Sequence, residues 1–322
     1  MKKISAVFLA VICVVITLLS LIFFKPKLNN ANLTENRVIL NLWHIDSFEG
    51  GSGSRATFLK NVGNEYTAKN KNTLISVALL TVEGANKLIE SGTYPDMISY
   101  GACGLDIASK VNKLDGFNVL DGGIMYKKRV AVSWCRGRYF HIKRGNGKNA
   151  FISENVYNSS VVATALNNFS FTNYEVVDVS TAYRNFISQK NSEMIGTQRD
   201  VIKLINANVE FTATPLHSFN DLFQYISVTT ANEDRAVKCK SFIKHLLSED
   251  TQKKLTKINM FSPIYSGLYT DNESFKKAEN IVSEYTVYCL ATNEEIDKIK
   301  RAGLESLKNQ DTASIIKLVK RL

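Results

Sequence analysis

The chain has 322 residues, 45% hydrophobic and 22% charged, a globular composition that excludes a disordered or low-complexity protein. Its length predicts about two domains. The net charge of +10 is spread along the chain. Lys2, Lys3, Lys25 and Lys27 flank one apolar segment and "KRGNGK" (143–148) is the densest loop, so no concentrated basic face of a nucleic-acid module is present.

The first predicted element is Ile4–Phe24, without a charge, Gly or Pro. As a helix it is long enough to span a hydrocarbon core of roughly 30 Å. No A-x-A site precedes Lys25, and Cys13 sits in mid-run, where it fits no lipoprotein signal. Residues 1–27 therefore read as an uncleaved N-terminal transmembrane helix, the alternative being a signal removed on secretion. A polar linker follows at 28–36.

From there strands and helices alternate. Val38–Ile45 predicts a strand and Arg55–Lys69 a helix with Phe58, Leu59, Val62 and Tyr66 on one face. Thr73–Thr81 predicts a strand, Val82–Ser91 a short helix ending at Gly92, and 94–101 a third strand. Such βαβ units imply a parallel sheet. Residues 128–144 read as one long strand interrupted at Gly137. Helices are predicted at 161–167, 182–190 and 197–207, a strand at 174–179, a second long apolar run at 220–230, and an amphipathic helix at 234–247. Everything from Phe275 onward reads as helical. The apolar runs near 130–142 and 218–230 suggest crossings between two α/β lobes built from discontinuous segments, a hinge that allows closure around a ligand. The predicted lobes are 37–135 with about 225–265, and 136–224 with about 266–322.

"WHIDSFEGGSGSRATF" (43–58) has the outline of a phosphate loop, but it matches neither G-x-x-x-x-G-K-[ST] nor G-x-G-x-x-G, and Asp46 and Glu49 would repel a phosphate. It remains a loop at the carboxyl end of a parallel strand, where open α/β sheets bind ligands. Trp43, His44 and Asp46 sit there, with Trp43 equally a core residue and the acids equally partners of the next helix dipole. Glu83 and Gly84 follow the second strand, and Tyr100 and Gly101 the third. Carboxylates that accept sugar hydroxyls beside aromatic faces would suit a carbohydrate. On the crossing, Trp134 and Tyr139 are candidates to stack on a ring and Arg138 to donate, or all three pack the hinge. "MIGTQRD" reads as a Gly turn and a capping box, with Gly196, Thr197 and Gln198 offering N–H groups to a ligand oxygen and the Gln198 and Arg199 side chains able to join them.

Four cysteines outside the apolar segment, Cys103, Cys135, Cys239 and Cys289, allow three pairings, and buried thiols are expected by default. The four histidines show no metal spacing, and no cofactor is required. No G-x-S-x-G is present, and the expectation is a binding protein, not an enzyme.

Several motifs in order, "VEGANKLIESGTYPDMISYG" (82–101), "YKKRVAVSW" (126–134), "FISQKNSEMIGTQRD" (186–200), "FNDLFQYISV" (219–228) and "FIKHLLSEDTQKKLTKINMFSP" (242–263), resemble the bacterial extracellular solute-binding proteins of ABC importers, the group with maltose- and other sugar-binding receptors. The resemblance covers about 38–265. It implies a two-lobed, Venus-flytrap α/β receptor of periplasmic-binding-protein type outside the cell membrane, handing a solute to permease subunits. The cleft would be bordered by Trp43–Asp46, Glu83–Gly84, Tyr100–Gly101, Trp134–Tyr139 and Gly196–Gln198. Helix 234–247 would return the chain to the first lobe. The alternative is a membrane-tethered sensing or scaffold protein that keeps the fold without transport.

Overall fold

The computed structural model describes residues 37–322 except Glu49, Asn118, Leu120, Asp121, Tyr126 and Ser170. The expected membrane segment and linker lie outside the described residues. Among the described residues no helix is long and apolar enough to cross a membrane.

The chain opens with β1 (Val38–Ile45), α1 (Arg55–Lys69), β2 (Thr73–Leu80), α2 (Val82–Glu90) and β3 (Met97–Tyr100). β1 pairs in parallel with both β2 and β3. α1 starts where the Ser54 hydroxyl accepts the Thr57 N–H at 3.1 Å, satisfying one of the free donors of a first turn. Phe58, Leu59, Val62 and Tyr66 are buried, as the helical spacing predicts. The helix lies close on β2: a Cβ on Gly63 would sit 3.1 Å from that of Ile75.

The predicted strand at 128–144 is three pieces. A small ribbon pairs β4 (Ile124–Met125) with β5 (Lys128–Arg129). β6 (Val132–Arg136) joins the first sheet, and β7 (Tyr139–Arg144) belongs to the second. Gly137 marks the passage, because a side chain there would press within 3.0 Å of Gln198 and Leu222. The second lobe continues with β8 (Asn149–Glu154), α3 (Ser160–Leu166), β9 (Tyr174–Asp178), α4 (Val179–Ser188), β10 (Ser192–Thr197), α5 (Gln198–Asn206) and β11 (Thr212–Pro215). Its strand order is β11-β7-β10-β8-β9, with β8, β9 and β10 mutually parallel.

The chain then returns. β12 (Phe223–Val228) inserts antiparallel between β3 and β6, completing the first sheet as β2-β1-β3-β12-β6. Every residue of β3, β6 and β12 is buried, whereas edge strand β2 is largely open on one face. After it come α6 (Glu233–Leu246), α7 (Glu249–Lys253), α8 (Glu273–Glu279), β13 (Tyr285–Thr286), α9 (Asn293–Asn309), α10 (Ala313–Leu318) and β14 (Lys320–Arg321). Segment 280–292 interrupts the helical tail expected from Phe275. Its backbone is held at Tyr285 by Asn220 and by Ser218, so it forms part of the crossing layer.

The second sheet was the harder to foresee. β8, β10 and β11 were not predicted, and the Gly turn expected at 194–197 is the end of β10. That strand is flanked by β7 and β8, and pairing on both edges overrides its polar residues and its glycine. The four cysteines in the described residues are buried free thiols; burial pushes Cys103 and Cys239 up to about 12.

One ion pair fixes α6 to the first sheet. Arg235 grips Asp96 with two hydrogen bonds of 2.6 and 2.5 Å, and Asp96 also accepts the Asn41 N–H at 2.8 Å. Asp96 is buried, so truncating it strands both a guanidinium and a backbone donor. Asp96→Ala is expected to cost about 3 kcal/mol, the lower end for a broken buried pair because Arg235 can turn partly to water. Urea unfolding checks this; a loss under about 1 kcal/mol would place the pair in the weak surface class.

Candidate functional site: the groove between the two sheets

β1, β2, β8 and β10 are parallel strands whose carboxyl-end loops meet in one groove. From the first lobe come the loop after β1 and the start of α2; from the second come the loop after β8 and the start of α5. One part, about 430 Å³, is lined by Asp46, Phe48, Gly50–Gly53 and Arg55 on one side and by Tyr157 and Arg199 on the other. A second part, about 550 Å³, is bordered by Glu83, Asn86, Lys87 and Cys103 against Tyr157, Asn293 and Asp297. Tyr157 lines both parts. It is half-buried and packs on two hydrophobic clusters, one running through both sheets and one in the first lobe.

Asp46 is the organised carboxylate of the first part. It accepts the Arg55 Nε–H at 2.9 Å, pairs with Arg55 Nη2 at 2.8 Å and lies 3.1 Å from His44 Nε2. Partial burial works against its charge, but His44 and Arg55 outweigh it, holding the carboxyl well below the usual range. About half of the Asp46 side chain stays open to the groove. His44 is fully buried, and burial keeps its pKa below the ordinary value, so it is neutral at pH 7. Arg55 lies 4.1 Å over the Phe48 ring and donates to the Phe48 carbonyl, which shapes the Gly-rich loop from behind. That loop closes on the second lobe: a Cβ on Gly50 would come within 2.9 Å of Gln198 Nε2.

Of the residues singled out from the sequence, Asp46 and Glu83 line this groove. Glu83 is an exposed first-turn acid paired with Lys87 at 2.6 Å. Arg199 apart, the others do not line it. Trp43 is core, and the Gly84 N–H is used by the Thr81 hydroxyl at 3.0 Å. Tyr100 is buried with its hydroxyl 2.9 Å from Ser227, and Gly101 admits the close approach of Ser47. Trp134 is wholly buried, stacked on Phe58 with centroids 5.5 Å apart, and donates its indole N–H to Ser99 at 2.9 Å. Tyr139 is buried too, donating to Asp221 at 2.7 Å and accepting the Ser159 N–H at 2.8 Å.

Arg138 is spent on the hinge. Its guanidinium donates to the Ile281 carbonyl at 2.7 Å and to the Ser283 hydroxyl, and burial drives its pKa well below the ordinary value. Arg136 does the same beside it, donating to the carbonyls of Ser262, Ile281 and Glu279 at 3.0, 2.7 and 2.6 Å. Gly196, Thr197 and Gln198 form a joint, not a ligand cradle. A Cβ on Gly196 would strike Asp200, and Thr197 and Asp200 cap α5 reciprocally, with Thr197 N–H to Asp200 at 2.9 Å. The Gln198 carboxamide accepts the Arg138 N–H at 2.9 Å.

Tyr157, Asn293 and Asp297 were not singled out from the sequence, whereas Arg199 was, beside Gln198 at the start of the helix after the Gly turn, and it lines the groove. Tyr157 obeys the strand-end rule that singled out Asp46 and Glu83, but the rule needs β8 to be recognised first. Asn293 and Asp297 fall in a helix whose position on the groove no local pattern reports.

No family model matches the chain, and no curated protein matches it. Solved structures do. A cyclic alpha-maltosyl-1,6-maltose binding protein from Arthrobacter globiformis is similar at 11% identity and TM-score 0.58, over 88% of this chain and 96% of that one. The maltose/maltodextrin-binding domain of Bdellovibrio bacteriovorus, bound to maltotriose, gives 12% and 0.53 over 86% and 95%. The maltose-maltodextrin binding protein of Alicyclobacillus acidocaldarius gives 10% and 0.58 over 87% and 98%. At such identities the likeness is one of fold, and the chain has the two-lobed α/β fold of these binding proteins.

Proposed function

We propose that this chain is a solute receptor that takes a carbohydrate in the groove between its two sheets and presents it to the permease subunits of an ABC importer. The observation that carries the reading is the convergence of strand-end loops from both lobes on a groove that holds one half-buried aromatic face, Tyr157, between polar walls. A sugar ring offers an apolar face and a rim of hydroxyls. The tyrosine ring meets the first, and Asp46, Glu83, Arg199 and Asn293 meet the second. The groove's volume suits more than one sugar unit, and the architecture it shares with maltotriose-binding and other oligosaccharide-binding proteins agrees with that. The apolar segment 4–24 would tether the receptor to the membrane.

The test is a thermal-shift screen of the full chain against linear oligosaccharides, amino acids and short peptides. A ligand present at about 100 times its Kd stabilises the native state by about 2.7 kcal/mol, a shift of several degrees. An oligosaccharide is expected to produce it. A shift with peptides alone would overturn the carbohydrate assignment, and no shift with any class would count against the receptor reading.

A further inference from the structure

Behind Tyr157 lies a buried polar cluster that nothing in the solute-binding reading uses. Glu154 ends β8, three residues before Tyr157. One carboxylate oxygen accepts the Val161 N–H of α3 at 3.0 Å, and the other lies 3.1 Å from the Lys300 ammonium, which α9 brings in from the opposite side. Lys300 also donates to the Asn155 carbonyl and, at 3.0 Å, to the Val156 carbonyl. The Asn155 side chain in turn accepts the N–H groups of Tyr157 and Asn158, each at 2.8 Å. One ammonium thus holds the carboxylate and both peptide carbonyls that lead into the groove's aromatic residue. α9 is seated tightly for this: a Cβ on Gly303 would crowd Val161 and Val162.

The geometry points to Lys300 and Glu154 as a positioning pair that sets the Tyr157 loop, and to proton uptake by Glu154 as the event that releases it and weakens solute binding. The inference rests on the groove being the solute site. The charged and titratable groups that face Glu154 among the described residues are Lys300 from α9, Asp221 from the crossing before β12, and Tyr139 from β7. Asp221 is itself buried, and burial raises its pKa although Ser159 and Tyr139 hydrogen-bond to it. One ammonium therefore serves two buried carboxyls. Burial pushes Glu154 up from 4.5 to about 7, against the pull of Lys300 and of the Val161 N–H.

Two signs follow, and they differ. For global stability, a carboxyl raised from 4.5 to about 7 holds more protons folded than unfolded, so its own contribution falls as pH rises through that window. Within the folded state the direction is opposite. Lys300 lowers the pKa of Glu154 only while it points inward, so the inward arrangement is the less protonated one. Raising the pH favours it, and acidification through about 7 favours Lys300 turning out to water and leaving the two carbonyls.

The test compares amide hydrogen exchange of residues 155–159 in the full chain at pH 8 and pH 6, corrected for intrinsic rates. Exchange is expected to be on the order of five-fold faster at pH 6, the low end of ordinary coupling between sites. Glu154→Gln and Lys300→Met are expected to exchange fast at both pH values. Equal protection of the unaltered chain at the two pH values overturns the inference, as does a Glu154→Gln chain that keeps the pH dependence. Maltotriose titrations on the same samples provide the second readout. Affinity is expected to fall by a similar factor at pH 6 in the unaltered chain and not in Glu154→Gln; a loosened loop with unchanged affinity overturns the link to binding. No maltotriose binding at either pH counts instead against the carbohydrate reading of the groove, while the exchange result alone still decides the pair's role.

Discussion

Trp134→Ala is expected to destabilise the chain by about 3–5 kcal/mol, the range for deleting a large aromatic from a packed core. The indole is wholly buried on β6 and stacked on Phe58 of α1 at an interplanar angle of 12°. Its N–H is one of two donors to a single buried hydroxyl: Ser99 Oγ accepts from Trp134 Nε1 at 2.9 Å and from Gln224 Nε2 at 3.2 Å, and donates to Nδ1 of the neutral His44 at 3.1 Å. Truncation would leave a cavity between sheet and helix and upset that shared point, which ties β1, β3, β6 and β12 together. Trp134→Phe keeps most of the volume and loses only the donor, so about 1 kcal/mol is expected. Equilibrium urea unfolding separates the two. A Trp134→Ala chain with an unchanged midpoint and weakened ligand binding would instead mean that the indole reaches the solute.

Tyr157→Ala should behave in the reverse way. The side chain is half-buried, so the cost to stability is small, about 1 kcal/mol, while the groove loses the aromatic face that both of its parts share. Losing a central aromatic anchor costs roughly 2 kcal/mol or more, so saccharide affinity is expected to fall more than ten-fold. Tyr157→Phe keeps the stacking face and should stay within about five-fold of the unaltered chain, since an edge hydroxyl bond is worth only about 1 kcal/mol. Calorimetric titration checks both. If Phe loses as much as Ala, the phenol hydroxyl and not the ring makes the contact.

The contrast between these two aromatics shows how far the sequence could be read. The rule that ligands gather at the carboxyl ends of parallel strands is topological, and it led to Asp46 and Glu83, which line the groove, because β1 and β2 are visible as β-branched and apolar runs. Trp134 and Tyr139 sit on a crossing strand, where alternation assigns residues to two faces without saying whether either is wet. α1 lays Phe58 on Trp134, and Asp221 and the start of α3 close over the Tyr139 hydroxyl, so both side chains are wholly buried. Arg138 misled for a related reason. A buried guanidinium is rare enough to suggest ligand binding, yet here the Ile281 carbonyl and the Ser283 hydroxyl of the returning segment hold it, and those partners lie more than 140 residues away. Tyr157 escaped notice because "NAFISE" is short and follows a polar Gly turn, which hid β8 and the loop after it. The helix at 198–206 was visible from its capping box, which explained Thr197 and Asp200 completely, and its start already offered Arg199, the neighbour that reaches the groove.

The most direct measurement is a hydrogen-exchange difference map of the full chain with and without saturating maltotriose. Slowed exchange is expected in the loop after β1 (46–55), the start of α2, residues 155–159, the first turn of α5 and the first turn of α9, on both walls of one groove. Protection confined to one lobe, or to a surface away from Tyr157, would contradict the proposal that the solute is held between the two sheets.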